Sequence, residues 1–168
     1  GRLEGDQMIP YFTREEIENG ALLNRNLEII WLDNPIDLFF LHVQGSGRII
    51  LETNKEVRVS FAGKNGHKYF PIGAELVRMG EIKKQNISLQ SITTWLKNHP
   101  EEIHKILNKN SSYIFFRMED SASGGPKGAQ GSALFPSRSV AIDSSIFNYG
   151  YPFWISINDR GSNKEKIL

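Results

Sequence analysis

One stretch of the sequence, residues 39 to 69, constrains the fold more than any other. Residues 57 to 61 alternate apolar and polar side chains, a period of two that is typical of a strand with one buried face. Residues 49 to 51 are also apolar and β-prone, and residues 53 to 55 are suited to a tight turn. The stretch therefore predicts a β-hairpin.

Two polar, glycine-rich clusters flank this hairpin, residues 43 to 47 and residues 62 to 67. Glycine allows a backbone to approach a ligand closely. The clusters also offer amide, imidazole and ammonium groups, on Gln44, Asn65, His67 and Lys64. This inventory suits a neutral ligand rich in hydroxyl and amide groups, such as a sugar. The alternative is that both clusters are polar turns without a ligand, which is common for such compositions.

Helix start signals recur along the chain. Thr13 and Glu16 fit a capping box, in which each side chain binds the backbone N–H of the other residue. Further helices are expected from Pro35, over residues 71 to 80, from Ser88 and from Pro100. The helix from Pro35 should be short, because we expect the chain to become extended by His42.

Short apolar segments predict strands outside the hairpin as well. These segments are residues 27 to 32, 113 to 116, 140 to 142 and 152 to 155. Residues 119 to 132 are small and polar and predict a linker, and residues 159 to 166 are expected to form a hairpin tip.

The composition excludes several classes of function. A net charge of +1 over 168 residues gives no electrostatic footprint for nucleic acid. The absence of cysteine excludes disulfides and thiolate metal sites, and no apolar run approaches the length of a transmembrane helix. The four histidines are scattered without zinc-site spacing, so we expect no metal and no cofactor.

Several motifs, taken together, resemble the insert domain of the membrane-bound lytic murein transglycosylase A (MltA) family. They are HVQGSGRI at residues 42 to 49, FAGKNGHKYFPIG at 61 to 73, and the segments 88 to 92, 112 to 116 and 138 to 143. The similarity extends from about Gly5 to Trp154. It implies an α+β fold, with a small β-barrel-like insert domain bearing peripheral helices and part of a double-psi β-barrel.

The resemblance also implies a division of the chain. Residues 1 to 35 would be a first, partial segment of the barrel domain, and residues 36 to 118 the insert domain. Residues 119 to 132 would be the linker. Residues 133 to 168 would begin the three-aspartate barrel segment and leave it incomplete.

Members of this family are peptidoglycan lyases, so the resemblance implies a lytic transglycosylase. Such an enzyme cleaves the β-1,4 bond between N-acetylmuramic acid and N-acetylglucosamine and forms 1,6-anhydromuramic acid. One carboxyl group can serve first as acid and then as base. The family's motif for this aspartate, Asp-x-Gly-Gly-Ala-Ile-[KR]-Gly, does not occur in the sequence. We therefore expect the isolated chain to lack the catalytic aspartate and to be inactive, while supplying part of the glycan-binding groove.

The residues expected to contact the glycan come from both clusters and from one later position. They are Gln44, Ser46, Lys64, Asn65, His67, Tyr69 and Asp143. Asp143 would be a supporting residue across the groove, although an aspartate after an apolar segment is also a common turn residue. Lys64 could equally be a solvated surface cation, and Tyr69 an ordinary core tyrosine.

The implied partners are the glycan strands of peptidoglycan, with cell-wall proteins as further candidates. The implied location is the periplasm, with attachment to the outer membrane through a segment outside this sequence. Two alternatives stay open, a non-catalytic peptidoglycan-binding module and a protein-interaction module. Binding to purified cell-wall sacculi and capture of a protein partner distinguish the two.

Overall fold

The computed structural model describes residues 1–119 and 128–155. The chain forms two compact units, Gly1–Glu119 and Asp120–Leu168, and each is described by itself. The middle of the expected linker and the expected hairpin tip at residues 159 to 166 lie outside the described residues.

The first unit contains short strands and helices, with three helices in succession between β4 and β5. The strands are β1 (Arg2–Glu4), β2 (Gln7–Ile9), β3 (Ser46–Ile50), β4 (Glu56–Lys64) and β5 (Ile114–Glu119). The α-helices are α1 (Arg14–Glu16), α2 (Pro35–Gln44), α3 (Ile72–Arg78), α4 (Leu89–Asn98) and α5 (Ile103–Leu107). A π-helical turn, Ile17–Ala21, continues α1, and 3-10 turns at Lys84–Asn86 and Pro100–Glu102 precede α4 and α5.

The predicted hairpin is present. Strands β3 and β4 pair antiparallel, with Ser46 opposite Ser60 and Ile50 opposite Glu56. The connecting turn places Asn54 at φ 61°, a left-handed conformation that asparagine tolerates better than most residues. Sequence pattern and turn chemistry therefore agree about this element.

A third strand, β5, pairs antiparallel with the other edge of β4. The pairing runs from Phe61 opposite Phe116 directly to Gly63 opposite Phe115, so Ala62 is an extra residue in a β-bulge. The resulting sheet is open, with the order β3-β4-β5, and β1 and β2 form a separate hairpin. Within the described residues the fold is thus a mixture of helices and small sheets, without the closed barrel expected from the resemblance.

The helix starts predicted at Thr13, Pro35 and Ser88 are confirmed by side-chain caps, whereas α3 has no such cap and Pro100 begins a 3-10 turn before α5. Thr13 and Glu16 form the reciprocal capping box, with the Thr13 N–H donating to Glu16 at 2.7 Å and the Glu16 N–H donating to Thr13 at 3.2 Å. Asn34 caps α2 through its side-chain oxygen, and Ser88 caps α4. Because caps involve residues three apart or less, sequence alone locates them well.

The core of the first unit lies where α2 packs against the later helices. Its members are apolar and buried, namely Ile36, Phe39, Ile72, Leu76, Ile82, Trp95, Leu96, Ile106 and Leu107. Burying an apolar side chain of this size contributes on the order of 2 kcal/mol. Helices α3 to α5 are short, so they are stabilised mainly by the burial of their apolar faces.

Some predictions of secondary structure were wrong. Residues 27 to 32, 140 to 142 and 152 to 155 form no strand, because the described chain provides no neighbouring strand to pair with them. The chain does not become extended at His42 either. Helix α2 continues to Gln44 and ends where Gly45 adopts φ 76°, the left-handed conformation common at helix C-termini.

The described part of the second unit, residues 128 to 155, consists of turns. The carbonyl oxygen of Asp143 accepts from the N–H groups of Ile146 and Phe147 at 3.0 and 2.9 Å. Phe147 and Phe153 meet edge to face, with ring centroids 5.2 Å apart. The double-psi barrel expected here is not found among these residues.

Candidate functional site

The first glycine-rich cluster lies at the junction of α2 and β3. Gln44 is the last residue of the helix and its side chain is exposed. Ser46 begins β3 and is partly buried. Gly45 between them serves to end the helix, so the glycine content of this cluster has a structural cause. A glycan contact by Gln44 or Ser46 stays a prediction.

The second cluster begins at Lys64, the last residue of β4 and an exposed one. Because Ser46 pairs with Ser60, Lys64 lies four residues further along β4, about 13 Å from the Ser46–Ser60 pair. The two clusters therefore flank one hairpin, as predicted, but Lys64 does not lie directly beside Ser46.

Asn65 is the buried centre of the second cluster, with only 2% of its surface exposed. Its Nδ2 donates to the carbonyl oxygens of Phe12 and Ser111 at 2.9 and 2.8 Å. Its Oδ1 accepts from the N–H groups of Tyr113 and His67 at 2.9 and 3.3 Å. These four bonds use the amide fully, which favours a structural role for Asn65 over the direct glycan contact expected from sequence.

His67 and Tyr69 complete this loop. The Nε2 of His67 donates to the carbonyl oxygen of Tyr11 at 2.7 Å, which ties the loop to the N-terminal segment. Tyr69 is 54% exposed, and burial of the remainder raises the pKa of its hydroxyl. Tyr69 is thus available for stacking on a sugar face, and that role stays a prediction.

Asp143 belongs to the second unit and is exposed. Its carboxylate accepts from the hydroxyl and the N–H of Ser145 at 2.6 and 2.9 Å. The hydrogen bond from the Ser145 hydroxyl, followed by that from the N–H, lowers the pKa of Asp143. These contacts are those of a turn residue, and its support of a groove stays a prediction.

A buried polar cluster that sequence analysis did not single out lies around Arg14, which is 1% exposed. Its Nε donates to the carbonyl oxygen of Asn110 at 3.2 Å, and one terminal nitrogen donates to Glu18 at 3.1 Å. The other terminal nitrogen donates to the carbonyl oxygen of Ser112 and to the Nδ1 of His42, both at 3.0 Å. One guanidinium thereby joins α1, α2 and the turn before β5.

His42 is held in a single protonation state by this contact. A guanidinium has no acceptor, so Nδ1 of His42 must accept from Arg14 and the neutral ring carries its proton on Nε2. Burial, with the positive charge of Arg14 as a second cause, lowers the pKa of His42 from 6.5 to about 3. The ring is therefore a neutral N–H donor at ordinary pH.

A cleft of about 540 Å³ opens beside His42, within the size range of ligand sites. One wall is the segment from Ile17 to Leu32, and the other comes from α2 and the sheet. Most of its lining is apolar, including Leu41, Ile49, Val59 and Ile114. His42 and Tyr113 contribute polar groups to this lining, and their rings are in contact at 4.3 Å.

Part of this cluster had a signal in the sequence. Ile36, Phe39 and His42 recur at intervals of three, so a helix extended to Gln44 would have placed His42 on the buried face. Arg14 gave no such signal, because its partners lie up to 98 residues away. Within residues 1–119 and 128–155, no group of three or more acidic, histidine or cysteine side chains is arranged to hold a metal ion.

Both a family model and curated relatives match this chain. A family model described as the MltA specific insert domain matches residues 1–117. The chain is 37% identical over 142 residues to membrane-bound lytic murein transglycosylase A of Vibrio cholerae. The chain therefore belongs to the MltA family, which confirms the resemblance carried by its motifs.

Solved structures agree with this assignment. The structure of a membrane-bound lytic murein transglycosylase from Agrobacterium tumefaciens matches with a TM-score of 0.78 and 38% identity, covering 85% of this chain and 39% of that one. Escherichia coli MltA with bound chitohexaose matches with a TM-score of 0.74 and 34% identity, covering 86% of this chain and 46% of that one.

The match to the Vibrio cholerae protein covers 83% of this chain but 38% of that protein. This chain therefore spans about two fifths of the length of such relatives. Among the described residues, no helix combines the length and apolar character needed to span a membrane.

Proposed function

We propose that this chain forms one wall of the glycan-binding groove of a lytic murein transglycosylase. Such an enzyme cleaves the β-1,4 bond between N-acetylmuramic acid and N-acetylglucosamine in peptidoglycan and forms 1,6-anhydromuramic acid. The observation that carries the proposal is the match to E. coli MltA with bound chitohexaose, which extends over 86% of this chain. Chitohexaose is a β-1,4-linked chain of N-acetylglucosamine and so shares its linkage and acetamido groups with peptidoglycan.

Within this wall, the proposed glycan contacts are the side chains that face solvent around the hairpin. Gln44, Lys64 and Tyr69 are exposed, and Ser46 and His67 are partly buried. Hydroxyl and amide groups of a sugar chain can accept hydrogen bonds from the Lys64 ammonium group. They can both donate hydrogen bonds to the Gln44 amide and accept hydrogen bonds from it. Asp143, a residue of the second unit, is proposed as a supporting residue for glycan binding.

In this proposal, the acid that protonates the leaving glycosidic oxygen is not one of the described residues. Such an acid needs a raised pKa so that it starts protonated. The described carboxyl groups with a shifted pKa are Glu16, Glu75 and Asp143, and each is shifted downward. The hydrogen bonds that Thr13, Arg78 and Ser145 donate to them favour the ionised form.

Residues 27 to 32 are proposed to belong to a double-psi barrel domain completed by other sequence. Leu27, Ile29 and Trp31 are 55%, 46% and 81% exposed, so three apolar side chains of this segment are not covered by the described residues. Residues 36 to 118 would form the insert domain, and residues 133 to 168 would begin the second barrel segment. Because the relatives are named as membrane-bound, a periplasmic protein attached to the outer membrane is proposed.

The first test measures binding and product release separately. We expect the chain to cosediment with purified peptidoglycan sacculi and to release no 1,6-anhydro products detectable by mass spectrometry. Absence of sedimentation with sacculi would refute the glycan-binding role. Release of anhydro products would refute the assignment of the acid to other sequence.

A matched pair of double variants tests the proposed contacts. Gln44→Ala with Lys64→Ala should weaken sacculus binding about tenfold, because two hydrogen-bonding side chains are removed. Gln90→Ala with Lys97→Ala removes the same residue types from the exposed face of α4 and should leave binding unchanged. Equal binding by both double variants would remove Gln44 and Lys64 from the site.

A further inference from the structure

His42 and Tyr113 line the cleft, and each carries a polar ring or hydroxyl atom that lacks a partner in the described chain. The Nδ1 of His42 is occupied by Arg14, and no described residue bonds to its Nε2. The hydroxyl of Tyr113 has no hydrogen bond either, although its N–H is bound to Asn65. Some polar atoms of the described residues have no partner and are also shielded from solvent, but these two atoms are not among them. Both therefore border open space, and both residues line the cleft.

His42 is 5% exposed, so this free donor is part of a built site rather than an accident of the surface. Its ring is fixed from three sides. Arg14 binds one edge, Tyr113 lies against it at 4.3 Å, and Phe116 stacks on it at 5.3 Å and 17°. A buried polar group without a partner costs stability, so a donor held this firmly is expected to have an acceptor supplied from outside.

The surroundings define the chemistry of that acceptor. The charges of Arg14 and Glu18 compensate each other at 3.1 Å, and the exposed carboxylate of Glu28 also lines the cleft, so the cleft does not favour an anion as the acceptor. The apolar lining favours a methyl or methylene group. A ligand that fits both features carries a neutral hydrogen-bond acceptor next to a small apolar group.

We propose that this cleft is a subsite for the acetamido group of an N-acetylated sugar, with His42 Nε2 and the Tyr113 hydroxyl donating to the carbonyl oxygen. The methyl group then lies against apolar side chains such as Leu41 and Ile114. This inference rests on the proposed function, since it names the glycan substituent that the same chain recognises. It adds a recognition element next to the two glycine-rich clusters, since His42 precedes the first cluster and Tyr113 is hydrogen-bonded to Asn65 of the second.

The test compares two neutral β-1,4-linked probes, chitohexaose, which carries acetamido groups, and cellohexaose, which carries hydroxyls instead. Calorimetric titration of the chain should show chitohexaose binding at least tenfold tighter than cellohexaose. Tyr113→Phe removes a single hydroxyl without changing the ring. It should weaken chitohexaose binding about three- to tenfold and leave cellohexaose binding unchanged.

Tyr151→Phe is the matched control, because Tyr151 is 59% exposed in the second unit and does not line the cleft. It should leave binding of both probes unchanged. A second readout uses the unaltered protein, in which the ¹⁵N–¹H signal of His42 Nε2 should shift with chitohexaose and not with cellohexaose.

The outcomes separate this inference from the proposed function. If chitohexaose binds and neither Tyr113→Phe nor the His42 signal responds, the subsite is refuted while the glycan-binding role stands. If chitohexaose fails to bind while sacculi still sediment the chain, the acetamido subsite is likewise refuted. Failure to bind both chitohexaose and sacculi refutes the proposed function, and this inference with it.

Discussion

Asn65 and His42 are both buried polar residues close to β5, and they differ in what they leave unpaired. The Asn65 amide makes four hydrogen bonds, all to backbone groups of its own chain. His42 uses one ring nitrogen for Arg14 and presents the other to a cleft. The sequence-based argument favoured Asn65 for ligand binding, whereas the structure gives His42 the free group.

The difference shows how a buried polar side chain should be judged. A side chain whose capacity is exhausted inside the protein contributes to stability, and it has nothing left to offer a ligand. A side chain that is equally buried but keeps a free hydrogen-bonding atom is the better candidate for ligand recognition. Four substitutions or conditions test this distinction, in decreasing order of expected effect.

Asn65→Ala should have the largest effect, lowering the free energy of unfolding by about 3 to 4 kcal/mol. It leaves the N–H groups of Tyr113 and His67 and the carbonyl oxygen of Phe12 without their partner, and it removes one of two hydrogen bonds to the carbonyl oxygen of Ser111. Urea denaturation measures the change. Asn98→Ala, at the exposed end of α4, is the control and should stay within about 0.5 kcal/mol. A loss below about 1 kcal/mol for Asn65→Ala would show that its bonds are dispensable.

Acidification should act through His42 with an intermediate effect. Its pKa is about 3 in the folded chain and 6.5 as a free side chain, so below about pH 6.5 the unfolded state binds a proton that the folded state does not. Stability therefore decreases as pH falls, by about 2 kcal/mol from about pH 7 to about pH 5. The groups facing the ring are Arg14 and Tyr113, with Glu18 and then His104 behind Arg14.

His42→Gln is the control for this pH dependence, since an amide can still accept from Arg14 but does not titrate. Urea denaturation at both pH values should give a difference for the variant that is smaller by about 2 kcal/mol. Parallel pH profiles for the two proteins would show that His42 is not held neutral.

Gly45→Ala should have a smaller effect, about 1 kcal/mol, and it acts on the end of the helix that carries His42. Gly45 has φ 76° and open space around its missing Cβ, so the cost comes from backbone conformation alone. Gly63→Ala is the matched control, because its surroundings are equally open and its φ is not positive. Thermal melts that shift equally for both variants would contradict this account of Gly45.

Tyr113→Phe should have the smallest effect on stability, below about 0.5 kcal/mol, because the hydroxyl it removes has no partner in the described chain. The ring contacts with His42 and Phe115 are kept. Set beside Asn65→Ala in the same denaturation assay, this variant gives the sharpest contrast. A loss above about 1.5 kcal/mol would place the hydroxyl among the satisfied groups and weaken its assignment to the cleft.

Local features of the fold could be predicted from sequence because their causes are local. The Thr13–Glu16 box, the Ser88 cap and the turn at Asn54 each depend on residues within a few positions. Residues 27 to 32 are apolar and β-prone, as in a strand, but pairing needs a neighbouring strand that this local pattern cannot supply. Strand formation by these residues was accordingly a wrong prediction.

The polar clusters could not be predicted in the same way, because their partners are distant in sequence. Asn65 reaches Phe12 and Ser111, 53 and 46 residues away. Arg14 and His42 are 28 residues apart. A glycine- and asparagine-rich motif indicates a loop with a specific conformation. It does not indicate whether the polar side chains of that loop face the protein interior or the solvent.

The bulge in β4 has a consequence for how this strand tolerates change in length. Side chains alternate sides along a strand, and the unpaired Ala62 resets that alternation, so that Phe61 and Gly63 fall on opposite sides. Deleting Ala62 would keep every other amino acid and still turn Asn65 away from the backbone groups it joins. Ala62 is exposed and has no assigned contact, so its importance lies in its position along β4. It acts as a spacer that decides which side of the strand the residues before and after it face.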